Sequence, residues 1–399
     1  MSSASPNTEI GLAAPSDGGG KALAGFLLSG FLLALLGAIL PAWGYHKDPD
    51  FVAVGNYFLS LGLGIVVGSL IARSIMGWRG VPFLMIFACG LSCIALVYLS
   101  FVAPPHSSWL RVIGLTTLGV GAGLLNMGLF HAISGRYHAD SAGTVNLGGV
   151  WYGMGCLLAT LLVAGTFYAY QVTTILIFMA AVPAMFGLIY GRTSLVLPPS
   201  GEHPKLRDAL ADFKSVGAIL FALLLFFQFG NEWSIAGWLP IFLYHRIGVS
   251  PVGALEILAL YWLCLMAGRL VAVAILPRVK HSRLLFGSVA AALFGCTLLF
   301  FTDNVFGASM GVLFLGCGYA SIYPLVAEAI GRRFPYYHPG FFNGIFSLAL
   351  LGGLIAPATL GYAANEMGVG VVVGIPLIGT CLVMVLLLLI WLETKITGR

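Results

Sequence analysis

Residues Phe226–Pro240 read Phe-Phe-Gln-Phe-Gly-Asn-Glu-Trp-Ser-Ile-Ala-Gly-Trp-Leu-Pro, which places a carboxylate, Glu232, inside an otherwise apolar run. An ionisable group at membrane depth costs about 2.5–3.5 kcal/mol on insertion scales, so such groups as a rule face a partner or a water-filled cavity. Gly230, Gly237 and Pro240 allow the surrounding helix to bend. An apolar helix interrupted by polar residues, glycines and proline predicts the binding site of a transporter. The alternative is a carboxylate paired with a cation for assembly alone.

The whole chain has the composition of a polytopic helical membrane protein. Of its 399 residues, 59% are apolar and only 8% are charged, and the mean hydropathy is +1.00. The apolar runs are continuous over about 20 residues, whereas the strands of a membrane β-barrel alternate over about 10. A net charge of +5 is too small to indicate a nucleic-acid partner. The seven cysteines fall in apolar runs without a Cys-x-x-Cys spacing, so we expect no disulfide, metal site or cofactor.

The hydropathy pattern predicts an all-α fold of twelve transmembrane helices. The longest polar interruption, Gly191–Lys214, follows the sixth span. We therefore expect a flexible cytoplasmic tail (1–20), an N-terminal six-helix bundle (21–192), a cytoplasmic linker (193–213), a C-terminal six-helix bundle (214–393) and a cytoplasmic tail (394–399). The predicted spans are 21–45, 51–73, 80–103, 109–134, 141–168, 171–192, 214–244, 249–275, 282–302, 305–330, 336–362 and 367–393.

The distribution of Lys and Arg predicts the orientation of these spans. Lys47, Arg111 and Arg246 fall on one side of the predicted membrane, Arg269 lies within a span, and all the other basic residues fall on the opposite side. Positively charged loops stay in the cytoplasm, so we expect both termini inside the cell and a multi-pass protein of the inner (plasma) membrane.

The two halves of the chain are an internal repeat. Glycine, asparagine and arginine positions in spans four and five recur in spans ten and eleven at a constant separation of 197 residues. A shared offset over two spans and their loop predicts two parallel six-helix bundles, with a site between them that opens to each side in turn. The matching pairs are Gly119 and Gly316, Gly121 and Gly318, Ala132 and Ala329, Arg136 and Arg333, Asn146 and Asn343, and Gly155 and Gly352.

Three arginines are candidates for gates between the halves. Arg136 and Arg333 lie at the predicted cytoplasmic ends of spans four and ten, where gate latches and topology anchors are equally good interpretations. Arg269 lies near the inner end of span eight, where an interhelical pair with a carboxylate such as Glu328 is the alternative.

Several motifs resemble those of the major facilitator superfamily, and in particular its fucose permease-like sugar transporters. Span seven reads Gly-x-Glu-x-x-x-x-Gly-Trp over 230–238, span eight ends in Gly-Arg-Leu over 268–270, and span ten reads Gly-Cys-Gly-Tyr-Ala-Ser-Ile-Tyr-Pro over 316–324. The superfamily signature after span two is degenerate over 68–79, with Ala72 at the usual aspartate. The resemblance implies the twelve-helix fold and transport by alternating access.

The sequence also departs from this family. Span one carries no acid, Asn126 stands at the family's acidic position in span four, and Gly149 stands at its sugar-contacting glutamine in span five. Coupling to protons through the family's usual acids is therefore not expected. Glu232 remains as the cavity carboxylate that could couple protons to transport.

Sugars require planar polar groups for their hydroxyls and aromatic faces for their C–H surfaces. By resemblance, spans one, four, seven and ten line the cavity, and spans five, eight and eleven supply further candidates. The candidate substrate-binding residues are Asn126, Gln228, Asn231, Glu232, Trp233, Tyr319 and Tyr323, followed by Trp151, Tyr152, Trp262 and Asn343.

We therefore expect a carrier for a small neutral polar solute, with a monosaccharide as the leading candidate. It would act as a monomer in contact with membrane lipid, as a proton symporter or an uncoupled uniporter. An exporter of amphipathic drugs or lipid-like molecules is the first alternative, and a membrane receptor without transport is the second. No Walker loop, hydrolase elbow or metal motif is present, so we expect no enzyme.

Overall fold

A computed structural model describes residues 18–139, 141–192, 213, 215–276, 278–334 and 344–397. Most of the predicted tail 1–20 and linker 193–213 lie outside the described residues. The helices in chain order are α1 (Gly18–Ile39), α2 and α3 (the parts of Phe51–Phe101 before and after Gly80), α4 (Ser108–Ala139), α5 (Ser141–Thr166), α6 (Val172–Arg192), α7 (Val216–Phe242), α8 (Pro251–Ile275), α9 (His281–Phe301), α10 (Val305–Arg333), α11 (Gly344–Met367) and α12 (Val371–Thr397).

The helical stretch Phe51–Phe101 crosses the membrane twice because its backbone breaks at Gly80. Gly80 has a φ of 80° and a ψ of 171°, a conformation open to glycine, and Pro82 follows two residues later. An unbroken helix of 51 residues would be about 77 Å long, far more than a hydrocarbon core of about 30 Å. The described residues contain eleven helices long and apolar enough to cross a membrane, and the break gives twelve crossings.

Side-chain caps fix the starts of several helices. Asp50 accepts a hydrogen bond from the Ala53 amide at 2.9 Å, and Asn304 accepts one from the Gly307 amide at 2.8 Å. Asp and Asn are preferred at this position because their oxygens satisfy amides that have no partner within the helix. The far ends differ from the predicted spans, since α1 ends at Ile39 and α12 continues to Thr397 into the predicted tail.

The glycines of the sequence repeat make the same contacts in both halves. A Cβ added at Gly119 would overlap the backbone of α2, and one added at Gly316 would meet the backbone of α8. Gly155 touches the backbone of α1 in the same way, and Gly352 touches that of α7. Each of these two contacts in the first half therefore recurs in the second half, between the helices numbered six higher. This pattern confirms the predicted fold of two six-helix bundles related as parallel repeats.

The two bundles meet mainly through α1 with α7, α2 with α11, and α5 with α8. We call the end of the molecule that carries the α1–α2 turn the His46 end, and the opposite end the Arg333 end. At the His46 end, Gly55 and Gly361 bring α2 and α11 into backbone contact. Toward the Arg333 end, Gly149 and Gly153 of α5 face α8. The two bundles are therefore in contact both toward the His46 end and toward the Arg333 end.

Aromatic rings close the His46 end. His46 is buried, its Nδ1 donates to the Pro41 carbonyl oxygen at 2.7 Å, and its ring lies 5.0 Å from that of Tyr244 and 6.1 Å from that of Phe167. Tyr244 belongs to a π-helical turn, Leu243–Ile247, that extends α7. His46 thus lies at the contact between the first bundle and the end of α7.

Arg111 of α4 is a buried cation whose hydrogen bonds all go to neutral groups. Its Nε donates to the Tyr57 hydroxyl at 2.7 Å, and a terminal nitrogen donates to the Tyr45 hydroxyl at 3.2 Å. The other terminal nitrogen donates to the carbonyl oxygens of His106 at 2.8 Å and Val102 at 3.3 Å. Arg111 therefore connects α4 to α2 and to the segments that precede these two helices.

We expect the protein to lose stability as the pH falls below about 6.5. Burial lowers the pKa of His46 below 6.5, and the hydrogen bond to Pro41 opposes this shift while Lys47 and His245 reinforce it. The unfolded chain then binds a proton that the folded chain does not, so stability is complete above this range and declines below it. His46→Gln should reduce the fall in apparent Tm between pH 7.5 and 5 in detergent. His106→Gln, at an exposed position, is the matched control, and an unchanged slope in His46→Gln would contradict the assignment.

Arg111→Met should destabilise the protein. Its loss leaves two tyrosine hydroxyls and two carbonyl oxygens without their donor. A hydrogen bond to a charged group contributes roughly 1.5–3 kcal/mol, so we expect a loss of at least that size in the free energy of unfolding. Urea or thermal unfolding in detergent micelles measures it. A variant as stable as the wild type would show that these bonds are not needed for folding.

Candidate functional site

A small cavity lies between the two bundles, and Glu232 is on its wall. Its volume is about 20 Å³, which is room for about one water molecule. Both halves contribute to it, so the cavity lies at the interface between the two bundles. The lining residues are Leu33, Ala34, Gly37, Phe58, Leu61, Tyr152, Glu232, Trp233, Ala236, Gly237 and Trp262.

The cavity is closed toward the His46 end by contacts between α1, α2 and α7. A Cβ added at Gly37 would lie 2.5 Å from the Ala236 carbonyl oxygen, so the α1 and α7 backbones touch there. The Phe58 ring stacks on Trp238 with centroids 5.7 Å apart. Trp238 is fixed in turn by its Nε1, which donates to the Pro357 carbonyl oxygen at 2.9 Å. These contacts must separate before a solute can enter from this end.

Toward the Arg333 end, α5 and α8 close the cavity. A Cβ at Gly149 would overlap the Arg269 guanidinium, and one at Gly153 would overlap Met266. One turn earlier on α5, Asn146 lines a second, smaller pocket that Glu328 of α10 also lines. Among the described residues, helix contacts between the two bundles therefore lie on both sides of the cavity.

Glu232 is half-buried, and among the described residues Arg269 is the cation whose charge acts on it. The charge of Arg269 acts on its carboxyl, and Gln228 lies one helical turn earlier on α7, close enough to interact with it. Within the described residues, no ion pair within 4.0 Å joins Glu232 to Arg269. The carboxylate and the guanidinium therefore influence each other across a gap.

Aromatic side chains from both bundles surround this gap. The rings of Tyr152 and Trp262 meet edge to face across the interface, with centroids 6.4 Å apart. The charges of both Glu232 and Arg269 act on Tyr152 and on Tyr261 of α8. The Tyr261 hydroxyl and the Trp262 Nε1 are buried, and in the described part of the chain neither has a hydrogen-bond partner. The site thus presents a carboxylate, aromatic faces and unused hydrogen-bond donors.

The structure brings five of the predicted binding residues together. Glu232, Trp233, Tyr152 and Trp262 line the cavity, and Gln228 lies directly beside it in contact range of Glu232. These residues come from α5 of the first half and from α7 and α8 of the second half. Their role in binding remains a prediction, although their common location is the one that such a role requires.

Other predicted binding residues have partners elsewhere. Asn231 Nδ2 donates to the Thr380 hydroxyl at 3.4 Å, and the Tyr319 hydroxyl lies 2.9 Å from the same oxygen, within the second bundle. Asn126 accepts a hydrogen bond from Ser29 at 2.5 Å. The Tyr323 ring packs edge to face on a phenylalanine of α7 at 5.2 Å. Trp151 is partly buried against the core. Asn343 lies outside the described residues.

The three candidate gate arginines differ in their surroundings. Arg333 pairs with Glu393 of α12, so it links helices of the second bundle. The suggested partner of Arg269, Glu328, pairs instead with Arg332 and, at 3.2 Å, with His281. Arg269 itself lies against α5 of the first bundle. For Arg136 the structure describes the backbone, in α4, and not the side chain.

The sequence analysis did not identify the apolar side of the cavity. Leu33, Ala34, Phe58 and Leu61 come from α1 and α2, and they form most of the wall opposite Glu232. Leucine and alanine are common throughout these spans, so no residue type distinguishes the lining positions. The backbone contact at Gly37 depends on how α1 packs on α7, so the sequence alone does not show it.

The sequence comparisons agree with this architecture. The model of the Major Facilitator Superfamily matches residues 146–357, just over half of the chain. No curated protein sequence matches the chain.

Solved structures of transporters share the fold at low sequence identity. FucP, the fucose:proton symporter of E. coli, is 13% identical in one structure, with a TM-score of 0.62, and covers 93% of this chain and 98% of its own. FucP in an outward conformation is 15% identical, with the same TM-score and coverage. The nucleoside transporter NupG is 17% identical, with a TM-score of 0.68, covering 93% of this chain and 99% of its own. The predicted resemblance is therefore confirmed, and the chain belongs to the major facilitator superfamily, a family of secondary transporters and not of enzymes.

Proposed function

We propose that this transporter carries a small neutral polar solute, with a monosaccharide as the leading candidate, by alternating access. The observation that carries the proposal is the position of Glu232 in a cavity shared by both bundles, beside Tyr152, Trp233 and Trp262. A carboxylate accepts hydrogen bonds from hydroxyl groups, and aromatic faces pack on the C–H surface of a sugar ring. The two structural neighbours transport fucose and nucleosides, and both of these solutes contain a sugar ring.

The contacts at the two ends support transport by alternating access. Separation of α1 and α2 from α7 and α11 would open the His46 end, and separation of α5 from α8 would open the Arg333 end. The cavity of about 20 Å³ is too small for a sugar, so the solute would enter as one set of contacts parts. From the excess of Lys and Arg, we assign the Arg333 end and both termini to the cytoplasm of a cell whose inner membrane holds the protein.

Apolar residues also favour a second candidate, an exporter of amphipathic molecules. Leu33, Ala34 and Leu61 give the wall opposite Glu232 no hydrogen-bonding side chain. A flat hydrophobic cation could pack there with its charge near the carboxylate. A binding screen of purified protein against sugars, nucleosides and hydrophobic cations separates the two functions, because each predicts stabilisation by one class alone.

Glu232→Gln should lower sugar counterflow in proteoliposomes by about tenfold or more. A hydrogen bond to a charged group contributes roughly 1.5–3 kcal/mol, and 1.4 kcal/mol corresponds to a factor of ten. The matched control is Glu256→Gln, because Glu256 is an exposed carboxylate near the start of α8. Equal rates for wild type and Glu232→Gln, with unchanged preference among sugars, would remove Glu232 from the site.

If protons move with the solute, Glu232 is the residue that carries them. A pH-sensitive dye inside proteoliposomes should then report a pH change when sugar is added, and Glu232→Gln should abolish that change while some counterflow remains. The Glu256→Gln protein should keep the pH change. Sugar uptake by the wild type without any pH change would identify a uniporter.

A further inference from the structure

Arg269 is a buried guanidinium that forms no hydrogen bond and no ion pair with any residue that the structure describes. Its residue is only 6% exposed, and its Nε is completely enclosed. Arginine remains protonated in proteins, so the charge cannot be removed by loss of a proton. A buried charge without partners is strongly unfavourable, and its presence in a folded protein requires an explanation.

Arg111 shows what a structural arginine looks like in this protein. It is as deeply buried, at 5% exposed, and three of its nitrogens donate to four oxygen atoms. The same fold therefore provides acceptors for a guanidinium whose task is to hold helices together. Arg269 has no such hydrogen-bond acceptor among the described residues, so its surroundings differ from those of an arginine that holds helices together.

The position of Arg269 points to a ligand. Its guanidinium fills the space that a side chain at position 149 would take, so it projects from α8 to the surface of α5 between the bundles. Two further donors of α8, the Tyr261 hydroxyl and the Trp262 Nε1, are buried and unused among the described residues. Glu232 and Trp262 line the same cavity, and the charge of Arg269 acts on the Glu232 carboxyl. Arg269 is not itself on the cavity wall, but it lies at the same interface between the bundles, against Gly149 of α5.

We propose that Arg269 is a solute-binding residue and that the solute is a neutral polyhydroxy compound which bridges it to Glu232. This inference rests on the proposed function. It adds a second binding residue and the requirement that the solute carry no net charge. Oxygen atoms of the solute accept hydrogen bonds from Arg269, and a hydroxyl group of the same molecule donates to Glu232. With Glu232 ionised, the two charges cancel, so a neutral solute leaves the site neutral, whereas an acidic solute adds an uncompensated negative charge.

A gate role for Arg269 predicts a different structure. A latch that holds α8 against α5 would bond to an acceptor on α5, as Arg333 bonds to Glu393 within the second bundle. The described residues hold no such bond for Arg269. The contact at Gly149 is steric, and it leaves the hydrogen-bonding capacity of the guanidinium for the solute.

The test compares Arg269→Met with Arg111→Met in full-length protein without ligand. Removal of an unpartnered buried charge should leave the apparent Tm unchanged or raise it, whereas Arg111→Met should lower it. In the same samples, titration with D-galactose, L-fucose, D-glucose and uridine measures affinity. Arg269→Met should weaken binding at least about tenfold, and Arg111→Met should leave the affinity of the folded protein unchanged. Arg269→Lys, which keeps the charge without the planar fork, should fall between wild type and Arg269→Met.

Each other outcome has a definite meaning. If Arg269→Met lowers the Tm as Arg111→Met does and keeps wild-type affinity, Arg269 is structural and the proposal is wrong. If D-glucuronate binds more tightly than D-glucose at neutral pH, the charge requirement is wrong. If the wild type binds none of the neutral probes, the proposed function fails, and the Tm of Arg269→Met without ligand still decides whether Arg269 lies in an unfilled binding site.

Discussion

Contact between helix backbones at glycine is the constraint on which the rest of the structure depends. Lipid tails are as apolar as the helix surfaces, so helices in a membrane associate through close packing and enclosed polar groups. Gly119 and Gly155 in the first half, and Gly316 and Gly352 in the second, each leave no space for a Cβ against the neighbouring helix. Because equivalent helices meet at equivalent glycines, the two bundles share the same internal packing.

Tight packing within the bundles determines where polar side chains find partners. Asn231 and Tyr319 each bond to Thr380 inside the second bundle, and Ser29 bonds to Asn126 inside the first. The groups around Glu232 and Arg269 lie instead at the interface, where hydrogen-bonding capacity remains unused. Buried polar groups in folded proteins nearly always have partners. Within the described residues, the unpartnered groups near Glu232 are therefore the candidates for contact with a solute, although unpartnered polar atoms also occur elsewhere, as at Ser92 and Tyr190.

The two ends of the cavity are closed in different ways, and neither closure described above depends on an ion pair between the bundles. Ring contacts such as Phe58 with Trp238 close the His46 end, while glycines of α5 admit side chains of α8 toward the Arg333 end. The pair of Arg333 with Glu393 holds helices of the second bundle together and would move with it. Contacts of this kind are individually weak, which is consistent with the separation of the bundles that the proposed alternating access requires.

The sequence by itself determined the membrane class, the twelve spans, the repeat at 197 residues and the location of Glu232 inside an apolar span. Hydropathy and glycine spacing report these features because they depend on helix length and on periodicity along one chain. Only the tertiary structure decided which helix covers each face. Asn231 and Glu232 are adjacent in sequence but point about 100° apart on α7, so one meets α12 and the other meets the cavity. The unpartnered state of Arg269 was likewise invisible, because a missing acceptor is a property of the helices around it and not of its own residue type.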